Sequence, residues 1–411
     1  METGPSTYRA SREPSPPDKC TCSGPNRPID SLPLEQERLT MPSSLFRKAA
    51  FAALGFASCV SIAIAQTPSE INFGVISTEA SVNQKKNWEP FVDAISKATG
   101  FKVKAFYASD YAGVIEAMRF NKVQIGWFGN KSGMEAVDRA NGEVFAQIVA
   151  KDGSTGYYSH IIVNRESPFS KLDDILKCDK TLNFGIGDPN STSGFLVPTS
   201  YIFAAHEIDP KNCFKTVRGA SHQANAMAVA HKQVDAATNN SEDLQRLENT
   251  APDAHKQIKI IWTSPFIPLD PLVWRKDLDP STKTKLYTFL LGFGRFGSDE
   301  QIKSEQQILA NLIWSPFNPS SDRQLIPIRK LEANRDLMKV QADDKLSDAD
   351  KAARVVKIKA EVARIEQMER QAESDPYNKR VAAFIAADKA HDKDAMKRMV
   401  AELAADFTST H

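Results

Sequence analysis

The 411-residue sequence has almost no net charge, with 52 Lys and Arg against 51 Asp and Glu, or +1 at pH 7. That balance excludes a general pull toward nucleic acid or an anionic membrane, so any anion the chain holds must be met by local groups. Metal-ligand spacing is also missing. The seven histidines form no HExxH or comparable pattern, and neither a metal nor a cofactor is expected. No G-x-S-x-G nucleophile elbow occurs, which removes the commonest hydrolase signature. Long apolar runs are scarce. The stretch from Ala49 to about Ile64 is too short and too rich in small residues for a membrane-spanning helix. Cysteine is sparse as well, with five in all.

Residues 1–40 are rich in Pro, Ser and charge and lack the means to build a core; they read as a non-native or disordered leader, with translation starting at Met41. Arg47 and Lys48, the apolar stretch and Ala63-Ile64-Ala65 then follow the order of a secretory signal peptide over 41–65, cleaved near Ala65. The exported chain is expected in the periplasm. Cys20, Cys22 and Cys59 fall in the part that is lost. Phe56-Ala57-Ser58 before Cys59 is a poor lipoprotein box. Cys178 and Cys213 remain, and an even count in an exported protein permits a disulfide. Cys178 precedes a strand from Leu182, and Cys213 precedes one at Phe214. In a strand–helix–strand unit both would sit at the N-terminal ends of neighbouring parallel strands. Such a bridge would close a loop of about 35 residues, worth about 3–4 kcal/mol in the chain-entropy treatment.

From Ile71 onward, strand-like and helix-like segments alternate, which predicts an α/β fold of parallel sheets with flanking helices. Trp88, Phe91, Val92 and Ile95 recur at helical spacing and Gly100 closes that helix. A helix–Lys–Val–strand–Asn unit occurs at Lys122–Asn130 and again at Lys232–Asn240, suggesting two domains of similar build. The expected division is 66–155 for the first part of domain 1, 156–264 for domain 2, 265–338 for the return to domain 1, and 339–411 for a C-terminal helical extension. In that extension Ser347 and Asp350 resemble a capping box, Val355, Ile358, Val362 and Ile365 form one stripe, and Asp375-Pro376 breaks the helix. The tail reads either as a helical cap on the core or as an arm for homodimerisation.

The strongest local signal is Gly187-Asp188-Pro189-Asn190-Ser191-Thr192-Ser193-Gly194, between a predicted strand and a predicted helix over Ser193–Ala205. Free N–H groups, the helix dipole and three adjacent hydroxyls suit a tetrahedral oxyanion. The run is neither a Walker A loop nor GxGxxG, and spacing alone leaves an unliganded helix cap open. Ser191, His222 and Asp188 or Asp270 suggest a triad on paper, but three adjacent hydroxyls point to donors rather than one activated nucleophile. By spacing alone Glu242 is a first-turn acid and Asp270 a turn residue before Pro271. His160, Trp127 and Trp274 read as strand residues that pack, with a cleft-wall role for the tryptophans as the lesser view.

The run GDPNSTSGFLVP resembles the signature of phosphonate ABC-transporter substrate-binding proteins. NFGVISTEAS from Asn72, DYAGVIEAMRFNKVQIGWFGN from Asp110, DGSTGYYS from Asp152, ATNNSEDL from Ala237 and IPLDPLVWRK from Ile267 are similar to the same family. The resemblance covers about residues 71–335. It implies a type II periplasmic-binding-protein fold, with two α/β domains, a hinge and a ligand cleft, plus C-terminal helices. It implies binding and no catalysis, and partnership with ABC permease subunits in the inner membrane. Tyr111, Tyr157, Ser191, Thr192, Ser193 and His222 are expected to hold the phosphonate. Tyr158 is expected to pack, and Ser221 is a lesser candidate because the chain carries an extra residue before His222. Glu242 and Asp270 are expected to meet the ammonium of 2-aminoethylphosphonate or a relative; carboxylates beside an oxyanion site make sense for a zwitterion. The alternative is the same fold with phosphite, phosphate or a phosphate ester.

Overall fold

The structure, a computed structural model, describes residues 70–409. The readings for 1–40 and 41–65, and for Cys20, Cys22 and Cys59, lie outside the described residues. The strands, in chain order, are β1 (Glu70–Val75), β2 (Lys102–Tyr107), β3 (Ile125–Trp127), β4 (Gly142–Ala150), β5 (Gly156–Tyr157), β6 (Ser159–Asn164), β7 (Asn183–Ile186), β8 (Thr216–Gly219), β9 (Ala236–Asn240), β10 (Ile258–Thr263), β11 (Ile267–Pro268), β12 (Pro271–Arg275) and β13 (Trp314–Pro319). They build a six-stranded sheet in the order β13-β4-β12-β3-β1-β2, a five-stranded sheet β10-β6-β9-β7-β8, and a ribbon β11-β5. Each large sheet with its helices is called a lobe below. The ribbon pairs Tyr157 with Ile267, where the chain passes between the lobes in both directions.

The expectation of parallel sheets needs correction, because both are mixed. β1 runs parallel to β2 and β3, and β7 to β8 and β9. β12 and β6, which enter directly from the other lobe, run antiparallel to their neighbours. They arrive without a helical crossover, and such a crossover is what aligns consecutive strands in parallel.

The helix Ser81–Thr99 buries Trp88, Phe91, Val92 and Ile95 and ends at Gly100 with φ 77°, a left-handed conformation that glycine adopts without strain. Next, the chain turns into β2 and then into the helix Tyr111–Arg119, which Asp110 caps by accepting from Gly113 N–H.

The repeated unit is real, but its register differs by one from the sequence-based pairing. Equivalent positions lie 111 residues apart except between β2 and β8, where Val75 pairs with Tyr107 and Ile186 with Gly219, one residue further on. Asn72 N–H donates to the Gln124 side chain at 2.9 Å, and Asn183 N–H donates to Asp235 at 2.7 Å. Val123 N–H donates to Ala117 O and Val234 N–H to Ala228 O. Asn121 and Lys232 both hold positive φ. Matching the lysines set the sequence-based register, whereas the backbone pairs Lys122 with Gln233. The repeat equates Tyr111 with His222, each the first residue of its helix.

The tail resolves its two readings in part. The helix Lys393–Ser409 packs on the helix Pro280–Gly292, with Phe407 5.0 Å from the rings of Trp274 and Tyr287. Phe384, on the helix Pro376–Lys389, is fully buried under Arg295. The longer helix Asp348–Ser374 starts at Ser347, whose Oγ accepts from Asp350 N–H and donates to its carboxylate. Only Ile365 on it is buried, packing with Ile358 and Val362 against Ile326 and Ala333. Among the described residues no helix is long and apolar enough to cross a membrane.

Candidate functional site

Gly187–Gly194 leaves β7 and turns into a helical segment. Gly187 N–H donates to Gly194 O at 2.9 Å. A Cβ on Gly187 would lie 2.6 Å from the Cα of Gly194, so the closure requires glycine. Ser191 caps the turn, its Oγ accepting from Gly194 N–H at 3.0 Å. The regular helix expected from Ser193 is replaced by π-helical turns at Thr192–Leu196 and Thr199–Phe203 and a short 3-10 turn at Ala204–His206. The backbone explains why. Ser193 O accepts from Ser159 Oγ at 2.6 Å, and Gly194 O accepts from Thr238 Oγ1 at 2.8 Å. Pro198 has no N–H to offer Gly194 O. Leu196 and Val197 then reach back five residues, to Ser191 O and Thr192 O, the spacing of a π-turn. The three hydroxyls are thereby held at the mouth of the turn, each residue 2% exposed.

All eight residues expected to hold ligand line one cavity between the lobes. The first lobe brings Tyr111 at a helix start, and Asp270 just before β12. The ribbon brings Tyr157. The second lobe brings Ser191, Thr192 and Ser193. His222 follows the cap Ser221, whose Oγ accepts from Ala224 N–H at 3.2 Å, so Ser221 is engaged in capping. Glu242 follows the cap Asn240, whose side chain accepts from Asp243 N–H at 2.7 Å. Losing such a cap typically costs about 1 kcal/mol.

The lobes are closed on each other. Lys131 N–H donates across the cleft to Thr192 Oγ1 at 2.9 Å, and Tyr111 N–H to Asp188 Oδ2 at 3.2 Å. Gln223 clasps the opposite turn twice, accepting from Ala80 N–H at 3.0 Å and donating its own N–H to Thr78 O at 3.2 Å.

The electrostatics divide the cavity into two ends. At one end the His222 Nε2 lies 3.3 Å from Ser191 Oγ, while its Nδ1 is buried with no hydrogen-bond partner among the described residues. Burial, helped by the charge of Arg246, pulls this imidazole down to about 4, so it is neutral at pH 7. Burial and then the charge of Asp270 push the phenols of Tyr111 and Tyr157 upward, and both stay protonated donors. At the other end Tyr157 OH donates to Asp270 Oδ1 at 3.4 Å. Burial raises Glu242 to about 7 and, with the charge of Glu242 beside it, raises Asp270 well above the carboxylate range. Burial also raises Asp243 to about 7. Hydroxyl, phenol and amide donors at one end suit an oxyanion; costly buried carboxylates at the other suit a cation.

Other residues were missed or misjudged. Trp127, expected mainly to pack, lines the cavity, with its indole N–H buried and unpaired among the described residues. Asp243 and Arg246 also line it. Arg246 lies four residues after Glu242 and three after Asp243, so it shares a helical face with each, a spacing that on a charged helix reads as a solvated face. Tyr158, expected to pack, is 40% exposed beside Phe266, because alternation along the chain turns it away from buried Tyr157. His160 is buried with its Nδ1 3.1 Å from Thr263 Oγ1, and Trp274 stacks on Phe145 at 4.0 Å. Away from the cleft, a disulfide joins Cys178 and Cys213.

A family profile described as "ABC transporter, phosphonate, periplasmic substrate-binding protein" matches residues 73–325. The chain is 48% identical over 324 residues to the phosphonates-binding periplasmic protein of Escherichia coli K12, covering 77% of this chain and 94% of that one. The crystal structure of a binding-protein component of an ABC phosphonate transporter from Pseudomonas aeruginosa aligns with TM-score 0.71 and 49% identity, over 74% of this chain and 99% of that one. A phosphate-import protein of Mycolicibacterium smegmatis is 29% identical over 252 residues, 58% of this chain and 75% of that one.

Proposed function

The chain belongs to the periplasmic substrate-binding proteins of phosphonate ABC transporters, with their type II binding-protein fold, and from that premise we propose that its ligand is 2-aminoethylphosphonate or a close aminoalkylphosphonate. The observation that carries this reading is the placement of Glu242 and Asp270 in the same closed cavity as the hydroxyl turn. Ser191, Thr192 and Ser193 would donate to the phosphonate with Tyr111, Tyr157 and neutral His222, while the two carboxylates take the ammonium. Buried acids with raised pKa values are costly in the empty protein and gain a partner on binding. Contacts to both lobes would drive closure about the β5/β11 ribbon, and the closed form would deliver the ligand to the permease.

Calorimetric titration tests the assignment. Asp270→Asn should weaken 2-aminoethylphosphonate by about 30- to 100-fold, as expected for a lost charge-assisted contact, and leave methylphosphonate nearly unchanged. Equal affinity of the unaltered protein for the two ligands would overturn the amine pocket. The phosphate-import relative favours a second reading, in which the hydroxyl turn takes phosphate, phosphite or a phosphate ester; that reading requires phosphate to bind at least as tightly as the amino ligand.

Binding without turnover is part of the proposal. Ser191 and His222 meet, but no acid orients the Nδ1 of His222 among the described residues, as a triad needs. Steady phosphate release from 2-aminoethylphosphonate would refute it. Export by a signal peptide cleaved near Ala65 predicts the corresponding N-terminal mass in a periplasmic extract. The sparse burial of the helix Asp348–Ser374, with Val356 67% exposed, supports a homodimer through the tail, and a purely monomeric sedimentation profile would exclude it.

A further inference from the structure

Arg246 is the cavity residue that the amine-and-phosphonate reading leaves without a task. It sits on the helix Ser241–Thr250, one turn beyond Glu242 and on the same face, and it lines the cavity. Its side chain is 13% exposed, and its nearest carboxylate oxygens are on Glu79 at 3.9 Å and Asp243 at 4.0 Å. Both are beyond hydrogen-bond reach. Among the described residues no hydrogen bond from the guanidinium is present, although a buried guanidinium normally satisfies its donors. Arg329, with its side chain 5% exposed, grips Asp138 with two bonds of 2.7 and 2.6 Å. Arg295 spends its donors on Asp388 and on three backbone carbonyls. The uncommitted fork in the cleft is therefore unlike the protein's structural arginines.

Its position adds to this. Arg246 lines the same cavity as His222 and Ser191 at the oxyanion end and as Glu242 and Asp270 at the cation end. A planar guanidinium with free donors matches a carboxylate bidentately. Arg246 and Glu242 from one lobe and Asp270 from the other together line a pocket with groups for both charges of an amino-acid head group. Without Arg246, a ligand carboxylate would meet only Glu79, Glu242, Asp243 and Asp270.

We propose that Arg246 is a third recognition point, for a carboxylate on the ligand's carbon chain, so that the cleft takes amino-acid phosphonates as well as plain aminoalkylphosphonates. This rests on the reading of Glu242 and Asp270 as ammonium partners, and the test separates the two. The probes are ethylphosphonate, 2-aminoethylphosphonate, 3-phosphonopropionate and 2-amino-3-phosphonopropionate, titrated calorimetrically against the unaltered protein, Arg246→Met and Arg246→Lys. The amine is read from the first two probes alone. The carboxylate is read from 3-phosphonopropionate against ethylphosphonate, with no amine present.

The unaltered protein should bind 2-amino-3-phosphonopropionate within about tenfold of 2-aminoethylphosphonate, and Arg246→Met should lose about 30-fold on both carboxylated probes, the scale of a bidentate charge-assisted contact. Ethylphosphonate, which carries neither the carboxylate nor the amine, should lose much less, so that the affinity of 3-phosphonopropionate relative to ethylphosphonate falls by at least about tenfold. Arg246→Lys, which keeps the charge without the fork, should fall between. Equal loss on all four probes in Arg246→Met would overturn the proposal and make Arg246 a counter-charge for its acidic neighbours. Rejection of both carboxylated probes by the unaltered protein by more than about 100-fold would also overturn it. Failure of the first pair to differ would instead sink the amine reading and leave the carboxylate comparison standing.

Discussion

The two halves of the internal repeat share a backbone and differ at the helix starts. Asn72-Phe73-Gly74 and Asn183-Phe184-Gly185 lie in equivalent strands. After the strand, the first repeat enters its helix at Ala80 with no side-chain cap, and the second enters at Ser191, which caps. Val82 is 78% exposed where the equivalent Ser193 is 2% exposed. Tyr111 and His222 open matching helices, both buried at the cavity. Lys131 and Glu242 also match, yet they diverge. Lys131 sends its side chain away to Glu135 and Glu332 at 3.1 and 2.8 Å and leaves only its N–H at the cleft, whereas Glu242 faces the cavity. The scaffold is thus shared, and the polar side chains that line the cavity are concentrated in the second copy by substitution at a few first-turn positions, where side chains and free N–H groups converge.

The largest expected effect tests how differently the repeats are fastened. Where the second repeat has the Cys178–Cys213 disulfide, the first repeat joins the starts of β1 and β2 by an exposed ion pair of Lys102 with Glu70 at 3.0 Å. Replacing both Cys178 and Cys213 by Ser should lower unfolding stability by about 3–4 kcal/mol in chemical denaturation, with ligand preferences intact. Glu70→Gln should change stability immeasurably, since exposed pairs contribute little.

Next comes the chemical asymmetry. Thr192→Val removes the acceptor for Lys131 N–H and the proposed donor to the oxyanion, and should weaken every phosphonate by about 30- to 100-fold in titration. Ser81→Ala, at the matching site, should have no effect on binding. Comparable losses at both would mean that the first repeat also touches ligand.

Proton linkage gives a third, smaller effect. Glu242 is raised to about 7 in the empty cleft, and Asp270 is raised further from its usual range. Near neutral pH these groups hold protons that an arriving ammonium displaces, because the cation favours the ionised carboxylates. Amino-ligand affinity should therefore rise by about tenfold from pH 6 to pH 8, with proton release detectable in buffers of different ionisation enthalpy. Methylphosphonate should lack this component. His222, drawn down to about 4, stays neutral throughout.

The smallest effect concerns closure. The Gln223 side chain accepts from Ala80 N–H across the cleft. Gln223→Ala should weaken all ligands alike by about 3- to 10-fold by favouring the open form. A change confined to one ligand would show that Gln223 reads the ligand instead.

Much of this was legible in the sequence where one local signal decides structure. Gly100 ends its helix, Asp110 caps the next, and Ser347 with Asp350 forms the expected box. The cleft residues named from motifs converge on one cavity, because Tyr111, Ser191, Thr192, Ser193, His222 and Glu242 stand at helix starts that follow strands and such turns gather at one end of a sheet, while Tyr157 and Asp270 come from the stretches that pass between the lobes. Long-range demands defeated the rest. The π-turns after Ser191 arise from carbonyls diverted to Ser159 and Thr238, residues on other strands. The antiparallel entry of β6 and β12 depends on traffic between lobes, and periodicity does not record it. Arg246 was hidden by composition: one basic residue on a charged helix looks like a solvated face until the opposite wall is in place.

The tryptophans give the first lobe a further property. Trp88, Trp127 and Trp314 form a closed triangle with ring separations of 5.4, 5.6 and 5.2 Å, and Trp127 shares the cavity wall with Asp270. Rings this close exchange excitation energy, so light absorbed anywhere in the triangle is reported partly by the indole beside the carboxylate. Any molecule that alters the charge of Asp270 changes the field on that indole. The protein therefore carries its own optical gauge of occupancy, readable as a shift in ultraviolet emission without dye or label.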